Sequence, residues 1–194
     1  ELFEEEYKNG IDIVGIGEMG IGNTTPSSTI TAIITGKSVE SVTGRGSGIN
    51  DSNFEKKVKL IKDAIKLHNP KSDDAIDILH KVGGYEIGGM TGIILAAASK
   101  RVPIVVDGFI SGASLLLAYL LSNNIKDYIF ASHCSVESGH KVILDYLGLK
   151  PILDLNLRLG EGTGAALAFL IIEAGLKILN EMATFESAGV SNKS

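Results

Sequence analysis

The sequence has one cysteine, Cys134, no tryptophan and an aromatic content of 6%. A single cysteine excludes an internal disulfide and is typical of a reducing cytosol, so we expect a cytoplasmic protein. The net charge of -5 and the dispersed lysines exclude nucleic acid as the main partner, because no basic stripe with interleaved aromatic residues is present. We also expect no membrane span, because polar residues interrupt every apolar run before the roughly 18 to 20 residues that a span needs.

The 194 residues, 44% of them hydrophobic, are enough to bury one substantial core. The chain begins at Glu1 without a signal-peptide pattern, and we expect it to be part of a longer protein. We predict that residues 1–10 end a helix that begins outside the chain. Residues 11–164 would form an α/β nucleotide-binding core, and residues 165–194 a C-terminal helix and tail within a small helical domain.

The glycine-rich segment at residues 15–26, GIGEMGIGNTTP, organises our interpretation of the chain. A β-branched run precedes it and a run with helical spacing follows it, with Pro26 suited to a first helical turn. A glycine loop between a strand and a helix N-terminus binds anions through its unpaired N–H groups and the helix dipole. We interpret the segment as a ligand-binding turn. The alternative is a packing turn without a ligand, for which one glycine would suffice.

The spacing Gly15-x-Gly17-x-x-Gly20 also matches the dinucleotide fingerprint of an NAD-dependent oxidoreductase. We regard that interpretation as the weaker one, because the fingerprint needs a second strand ending in an acidic residue about 20 residues later. Residues 35–40 are instead typical of a turn and a short helix. In addition, the Glu18 carboxylate would repel a pyrophosphate, so it is expected to face a neutral or cationic part of a ligand.

Two glycine-rich motifs follow, TGRGSG at residues 43–48 and GGYEIGGM at residues 83–90, and we predict a loop or turn at each. The helix after the first motif extends to His68, with Asp51 or Ser52 as its cap. Lys57 lies near the start of that helix. We interpret it as a candidate phosphate contact, and an ordinary solvated lysine is the alternative.

Strand and helix patterns alternate over the rest of the chain, with polar motifs after the strands. A buried strand ends at Asp107, and SHCSVESGH at residues 132–140 follows the next strand. A capped turn explains that second motif better than a metal or thiol site, because zinc needs three or four converging ligands. We predict an α/β fold with a Rossmann-like open parallel sheet, helices on both faces and a C-terminal helical segment. Its strands begin near Ile11, Pro103 and Tyr128.

Seven motifs taken in order resemble the nicotinate-nucleotide:dimethylbenzimidazole phosphoribosyltransferases over about residues 15–190. They are GEMGIGNTT, TGRGSG, GGYEIGGM, VDGF, SHCSVESGH, LRLGEGTGAALA and EMATFESAGV. The resemblance implies transfer of the phosphoribosyl group of nicotinate mononucleotide to 5,6-dimethylbenzimidazole or a related base, as in assembly of the cobalamin nucleotide loop. The products would be α-ribazole phosphate and nicotinate.

The reaction implied by this resemblance needs no cofactor and no metal. We also expect a homodimer, from the resemblance and from the apolar helix surface predicted at residues 115–121 and 165–179. The N-terminal portion of the family is absent here, and a separate chain supplying it is one explanation. An inactive fragment or a non-catalytic nucleotide-binding module is the alternative to an enzyme.

By this resemblance, Glu161 matches the general base that takes the proton from the incoming base. Apolar residues around Glu161 would make it a stronger base by raising its pKa from the ordinary value of about 4.3. The positions that match the base pocket are Glu18, Met19 and Leu159. Those that match the phosphate and ribose side, or lie near it, are Gly20, Gly46, Lys57, Asp107, Ser135, Arg158 and Gly164.

Overall fold

The fold is built on a three-stranded parallel sheet in a computed structural model that describes residues 1–46 and 48–190. The strands are β1 (Val14–Ile16), β2 (Ile104–Val106) and β3 (Ile129–Ala131), in the order β1-β2-β3. Val105 in β2 lies opposite Gly15 on one side and Phe130 on the other. Because all three strands point the same way, their carboxyl ends lie side by side at one edge.

Helices connect the strands and account for most of the chain. They are α1 (Leu2–Lys8), α2 (Thr24–Thr35), α3 (Val39–Val42), α4 (Asp51–His68), α5 (Ala75–Val82), α6 (Tyr85–Ser99), α7 (Phe109–Leu121), α8 (Ser138–Leu147) and α9 (Thr163–Glu181), with a 3-10 helix at Asn123–Tyr128.

Both faces of the sheet are covered, as predicted, but by unequal layers. Ile104 and Val106 of β2 face a large core that includes α6 and α7, and α2 and α8 pack outside α7. Val105 faces the other way, toward Ala165 and Ala168 of α9. This alternation is the period-2 pattern of a strand buried on both sides.

Two local predictions are wrong. Asn50, and not Asp51 or Ser52, caps α4, because its side chain accepts a hydrogen bond from the backbone N–H of Asn53 at 2.9 Å. Residues 83–90 are not a turn throughout, since α6 begins at Tyr85 and continues through three glycines, Gly88, Gly89 and Gly92. Each glycine costs a helix roughly 0.5–1 kcal/mol. Burial of apolar side chains from the same helix offsets that cost, among them Ile87, Met90 and Ile94.

Helix α9 is largely apolar, and the charged residues Glu173 and Lys177 interrupt its apolar run. Its 19 residues, Thr163–Glu181, are long and apolar enough to cross a membrane by length and composition alone. Its first turns nevertheless pack on the sheet, where Ala165 and Ala168 are buried. The predicted domain boundary between residues 164 and 165 therefore falls inside the first turn of this helix.

Candidate active site

A cleft of about 810 Å³ opens at the carboxyl edge of the sheet. Each strand leads into it: Glu18 follows β1, Asp107 follows β2 and Ser135 follows β3. The loop after α3 and the segment before α9 complete the walls, through residues that include Gly44, Gly46, Arg158, Leu159 and Gly160. Glu18, Asp107 and Ser135 therefore lie at the same edge of the parallel sheet.

Asp107 joins the end of β2 to the start of α9. It is 1% exposed. Its Oδ2 accepts a hydrogen bond from the backbone N–H of Gly162, and its Oδ1 accepts one from that of Ala165, both at 3.2 Å. A carboxylate in this position also interacts favourably with the dipole of α9. The hydrogen bonds that the Asp107 carboxylate accepts therefore come from a helix N-terminus, and the predicted ribose contact stays a prediction.

The turn that precedes α9 holds three successive residues in the left-handed region. The φ angles are 77° at Gly160, 57° at Glu161 and 74° at Gly162. Left-handed backbone is free of steric cost for glycine but costs other residues roughly 1–2 kcal/mol. The backbone N–H of Glu161 donates to the carbonyl of Glu18 at 2.9 Å, which fixes the turn against the loop after β1.

Glu161 is exposed and directly follows Gly160, a residue that lines the cleft. Within the described residues, no protein group donates a hydrogen bond to its carboxylate or forms an ion pair with it. Strained backbone at a residue next to a cleft is a reason to consider that residue for a functional role.

Close packing explains the first two glycines of the fingerprint. A Cβ on Gly17 would lie 2.3 Å from the backbone nitrogen of Gly162, and one on Gly15 would lie 2.8 Å from the ring of Phe169. Both glycines therefore let α9 approach β1. The expectation that one glycine would suffice for packing is wrong, and the ligand-binding interpretation applies only to Gly20 and Gly22, which line the cleft with φ of 79° each.

Glu18 is held by one of its two carboxylate oxygens. Oε2 accepts hydrogen bonds from the backbone N–H of Gly20 at 2.6 Å and from Nδ2 of Asn23 at 2.8 Å. Burial raises the pKa of Glu18 above its ordinary value, these hydrogen bonds oppose the shift, and the charges of Asp107 and Glu86 add to it. Glu18 consequently retains a proton at higher pH than an ordinary glutamate does.

Lys57 lies behind the cleft wall. Its Nζ donates to Oγ1 of Thr24 at 2.9 Å and to the carbonyl of Gly44 at 3.3 Å, and both of those residues line the cleft. Burial lowers the pKa of Lys57, while the nearby Glu137 carboxylate opposes the shift. An ammonium group has three donors. These two contacts leave one N–H donor of Lys57 unused, beside the N-terminus of α2.

Ser135 is positioned by a buried histidine. Its backbone N–H donates to Nδ1 of His140 at 3.0 Å, and its Oγ accepts from the backbone N–H of Glu137 at 3.4 Å. Burial lowers the pKa of His140 to about 3, so its ring is neutral near pH 7. Between residues 1 and 46 and between 48 and 190, no group of three or more potential metal ligands comes together.

The predicted residues divide into two sets. Eight line the cleft: Glu18, Met19, Gly20, Gly46, Asp107, Ser135, Arg158 and Leu159. Glu161, Lys57 and Gly164 do not. A Cβ on Gly164 would come within 2.0 Å of Nδ1 of His133, so this glycine allows α9 to pack against that ring. His133 itself lines the cleft and was missed, although its place two residues after the end of β3 was a usable signal.

The parallel sheet, with a cleft at its carboxyl edge, defines a Rossmann-like α/β protein. A family described as phosphoribosyltransferase matches residues 1–190, and the chain belongs to that family. The resemblance inferred from the seven motifs is thereby confirmed.

Two curated relatives carry the name nicotinate-nucleotide–dimethylbenzimidazole phosphoribosyltransferase. The one from Dehalococcoides mccartyi (strain CBDB1) is 57% identical over 193 residues, which are 100% of this chain and 55% of the relative. The one from Citrifermentans bemidjiense is 58% identical over 191 residues, which are 98% of this chain and 55% of the relative. The chain thus spans about half the length of the curated relatives it matches.

Solved structures share the fold at lower identity. A crystal structure of CobT from Thermus thermophilus is 38% identical and has a TM-score of 0.93, covering 99% of this chain and 57% of that one. A second structure, named for the same phosphoribosyltransferase activity as the curated relatives and from the same organism, is 38% identical with a TM-score of 0.88, covering 98% of this chain and 56% of that one.

Proposed function

We propose that this chain forms the nucleotide-binding and catalytic part of an enzyme that transfers the phosphoribosyl group of nicotinate mononucleotide to 5,6-dimethylbenzimidazole or a related base. The products are nicotinate and α-ribazole phosphate, used in cobalamin nucleotide-loop assembly. The names of the relatives support this substrate pair. The observation that carries the proposal is Glu161, an exposed, unpaired carboxylate on left-handed backbone in the turn that follows the cleft residues Arg158, Leu159 and Gly160.

Glu161 is the general base in this scheme. Its carboxylate takes the N–H proton of the incoming base as the other ring nitrogen bonds to the anomeric carbon of the ribose. The bond from that carbon to nicotinate breaks, and its electron pair returns to the pyridinium nitrogen. Nicotinate leaves with a neutral pyridine ring, so the leaving group needs no acid. Glu18, whose backbone carbonyl holds the Glu161 turn, lies on the acceptor side.

Exposed apolar side chains at the cleft support an aromatic acceptor. Met19 is 66% exposed, Ile21 79% and Leu159 65%, and all three line the cleft. A planar base placed between them would remove this apolar surface from water, which is favourable by roughly 25 cal/mol per Å². Dimethylbenzimidazole, adenine and a phenol all fit this description, and a competition assay among the three ranks them.

Lys57 is the proposed phosphate anchor, together with the N-terminus of α2 and the backbone of Gly20 and Gly46. We expect Lys57→Ala to weaken binding of nicotinate mononucleotide by the roughly 1.5–3 kcal/mol of a hydrogen bond to a charged group, measured by calorimetry. Lys56→Ala, which removes an exposed neighbour, is the matched control and should leave the affinity unchanged. Equal losses in the two variants would remove Lys57 from this role.

Helix α9 supports a proposal about assembly. Its outward side chains are largely exposed, with Leu170 at 63%, Leu176 at 53% and Leu179 at 78%. We propose that a homodimer, located in the cytoplasm, covers this face. A further part of the enzyme, within the same chain or in a separate one, is the alternative occupant. The small helical domain predicted at residues 165–194 also stays a proposal, and residues 191–194 lie outside the described part of the chain. A monomer in sedimentation at micromolar concentration, measured on the longer protein, would contradict the dimer.

The test uses a full-length chimera, because the relatives are longer than this chain. The matched segment of the Dehalococcoides mccartyi relative is replaced by this sequence, and the chimera is incubated with nicotinate mononucleotide and dimethylbenzimidazole. We expect equal amounts of nicotinate and α-ribazole phosphate, identified by mass spectrometry. A folded chimera that binds the nucleotide without forming product would indicate a non-catalytic binding module. A change in reduced-nicotinamide absorbance with NAD would instead indicate an oxidoreductase.

A further inference from the structure

We infer that His133 is a sugar-binding residue of this cleft, whose Nε2 accepts a hydrogen bond from a ribose hydroxyl of the nucleotide. The inference rests on the proposed function and adds a residue that the resemblance does not assign. His133 lies two residues after the end of β3, is 3% exposed and contributes to the cleft wall.

Hydrogen bonding on the protein side determines which ring nitrogen carries the proton. The Oγ of Ser132 lies 2.8 Å from the backbone carbonyl of Asp107 and 2.9 Å from Nδ1 of His133. A carbonyl oxygen only accepts, so the single hydroxyl proton of Ser132 is directed to it. Nδ1 must then be the donor to Oγ. In the neutral ring this leaves Nε2 without a proton, as an acceptor.

The ring is fixed in place, with its Nε2 edge beside the cleft. A Cβ on Gly108 would lie 3.6 Å from Nε2 and 4.0 Å from Cβ of Ser135, and both residues line the cleft. The ring also packs against Gly164 through Nδ1 and Cε1, and a backbone bridge pairs His133 with Leu153. Across the described part of the chain, no protein group donates to Nε2.

The surroundings keep the His133 ring neutral. Burial lowers its pKa, and the Asp107 carboxylate, 3.7 Å from Nδ1, opposes that shift only in part. The neighbouring His140, with its ring centroid 5.9 Å away, is itself neutral near pH 7. A neutral, oriented acceptor suits a hydroxyl group and does not suit a phosphate, which offers no proton at this pH.

The first experiment needs no variant. The chimera described above is titrated with nicotinate mononucleotide and with its 2′-deoxy and 3′-deoxy forms. If Nε2 accepts from one hydroxyl, the analogue lacking that hydroxyl binds about 5- to 10-fold more weakly, as expected for loss of one hydrogen bond to a buried group. Equal binding of all three nucleotides would overturn the inference. Failure of the parent nucleotide itself to bind would count against the proposed function instead.

The second experiment is a coupling measurement. His133→Phe keeps a ring without the acceptor, and His133→Gln retains an oxygen acceptor on a flexible side chain. We expect His133→Phe to bind the parent nucleotide about 5- to 10-fold more weakly than the unsubstituted chimera does. For the sensitive deoxy analogue, which already lacks the hydroxyl, His133→Phe should bind as tightly as the unsubstituted chimera. His133→Gln should recover part of the affinity for the parent nucleotide. An equal loss for all three nucleotides in His133→Phe would show a structural role only and overturn the inference. If His133→Phe fails to fold, the titrations of the unsubstituted chimera with the three nucleotides decide the question.

Discussion

Asp107 and Glu161 are both associated with the start of α9, but their carboxylates differ in burial and in hydrogen bonding. Asp107 is 1% exposed, with both oxygens bound to backbone N–H groups. Glu161 is exposed, accepts no hydrogen bond from the described residues and stands on backbone with φ of 57°. The Gly162 amide connects them, because it follows Glu161 and donates to Asp107. The comparison indicates that Asp107 fixes the helix, whereas the described residues leave the Glu161 carboxylate without a partner, as the proposed proton transfer requires.

The largest effect on stability is expected from removing the structural carboxylate. Asp107→Ala leaves two buried backbone donors and a helix N-terminus without their acceptor. We expect the free energy of unfolding to fall by about 3 kcal/mol, measured by urea denaturation. Asp154→Ala, at an exposed aspartate, is the control and should change stability by less than about 0.5 kcal/mol. A similar small change in Asp107→Ala would break the comparison.

A smaller effect follows from displacing the turn without removing either carboxylate. Gly17→Ala places a methyl group 2.4 Å from Cα of Gly162, so the turn must shift away from Asp107. We expect a loss of about 1–3 kcal/mol in the free energy of unfolding, measured in the same urea titration. Gly92→Ala is the control, because a Cβ there meets nothing within 4 Å in helix α6, and it should stabilise the protein by up to about 1 kcal/mol.

The smallest of these effects concerns Glu18 and depends on pH. Its folded pKa lies above the ordinary 4.5, so its contribution is favourable while the carboxyl is protonated and is lost as pH rises through the folded pKa. Glu18→Gln avoids that loss. At pH 7 we expect the variant to be more stable by about 0.5 kcal/mol or less. The difference should vanish below pH 4, and a constant difference across the pH range would contradict it.

The parallel sheet was predictable because its signals are local. Apolar β-branched runs ending in Glu18, Asp107 and the motif of Ser135 imply strands whose carboxyl ends meet in any parallel sheet. The amphipathic pattern of α4 likewise marks its own helix. Position after a strand therefore predicted the common location of Glu18, Asp107 and Ser135, whereas the other predicted site residues came from the resemblance to the family.

Long-range contacts explain what the sequence did not reveal. Gly15 and Gly17 are needed because α9, about 150 residues later, crosses β1 at very close range. The acceptor edge of His133 depends on Ser132 and on the carbonyl of Asp107, a residue in another strand connection. The glycines of α6 were predicted to form a turn, because the local sequence does not show that apolar side chains of the same helix are buried against other elements.

The measurement that tests the account most directly compares turnover and binding in Glu161→Gln. Glutamine keeps the shape of the side chain but cannot take a proton, and general-base catalysis contributes about 10²- to 10⁴-fold. In the chimera we predict that turnover falls within that range. Affinity for nicotinate mononucleotide and the free energy of unfolding should stay unchanged. Near-parental turnover with saturating dimethylbenzimidazole would contradict the assignment of Glu161 as the reacting carboxylate.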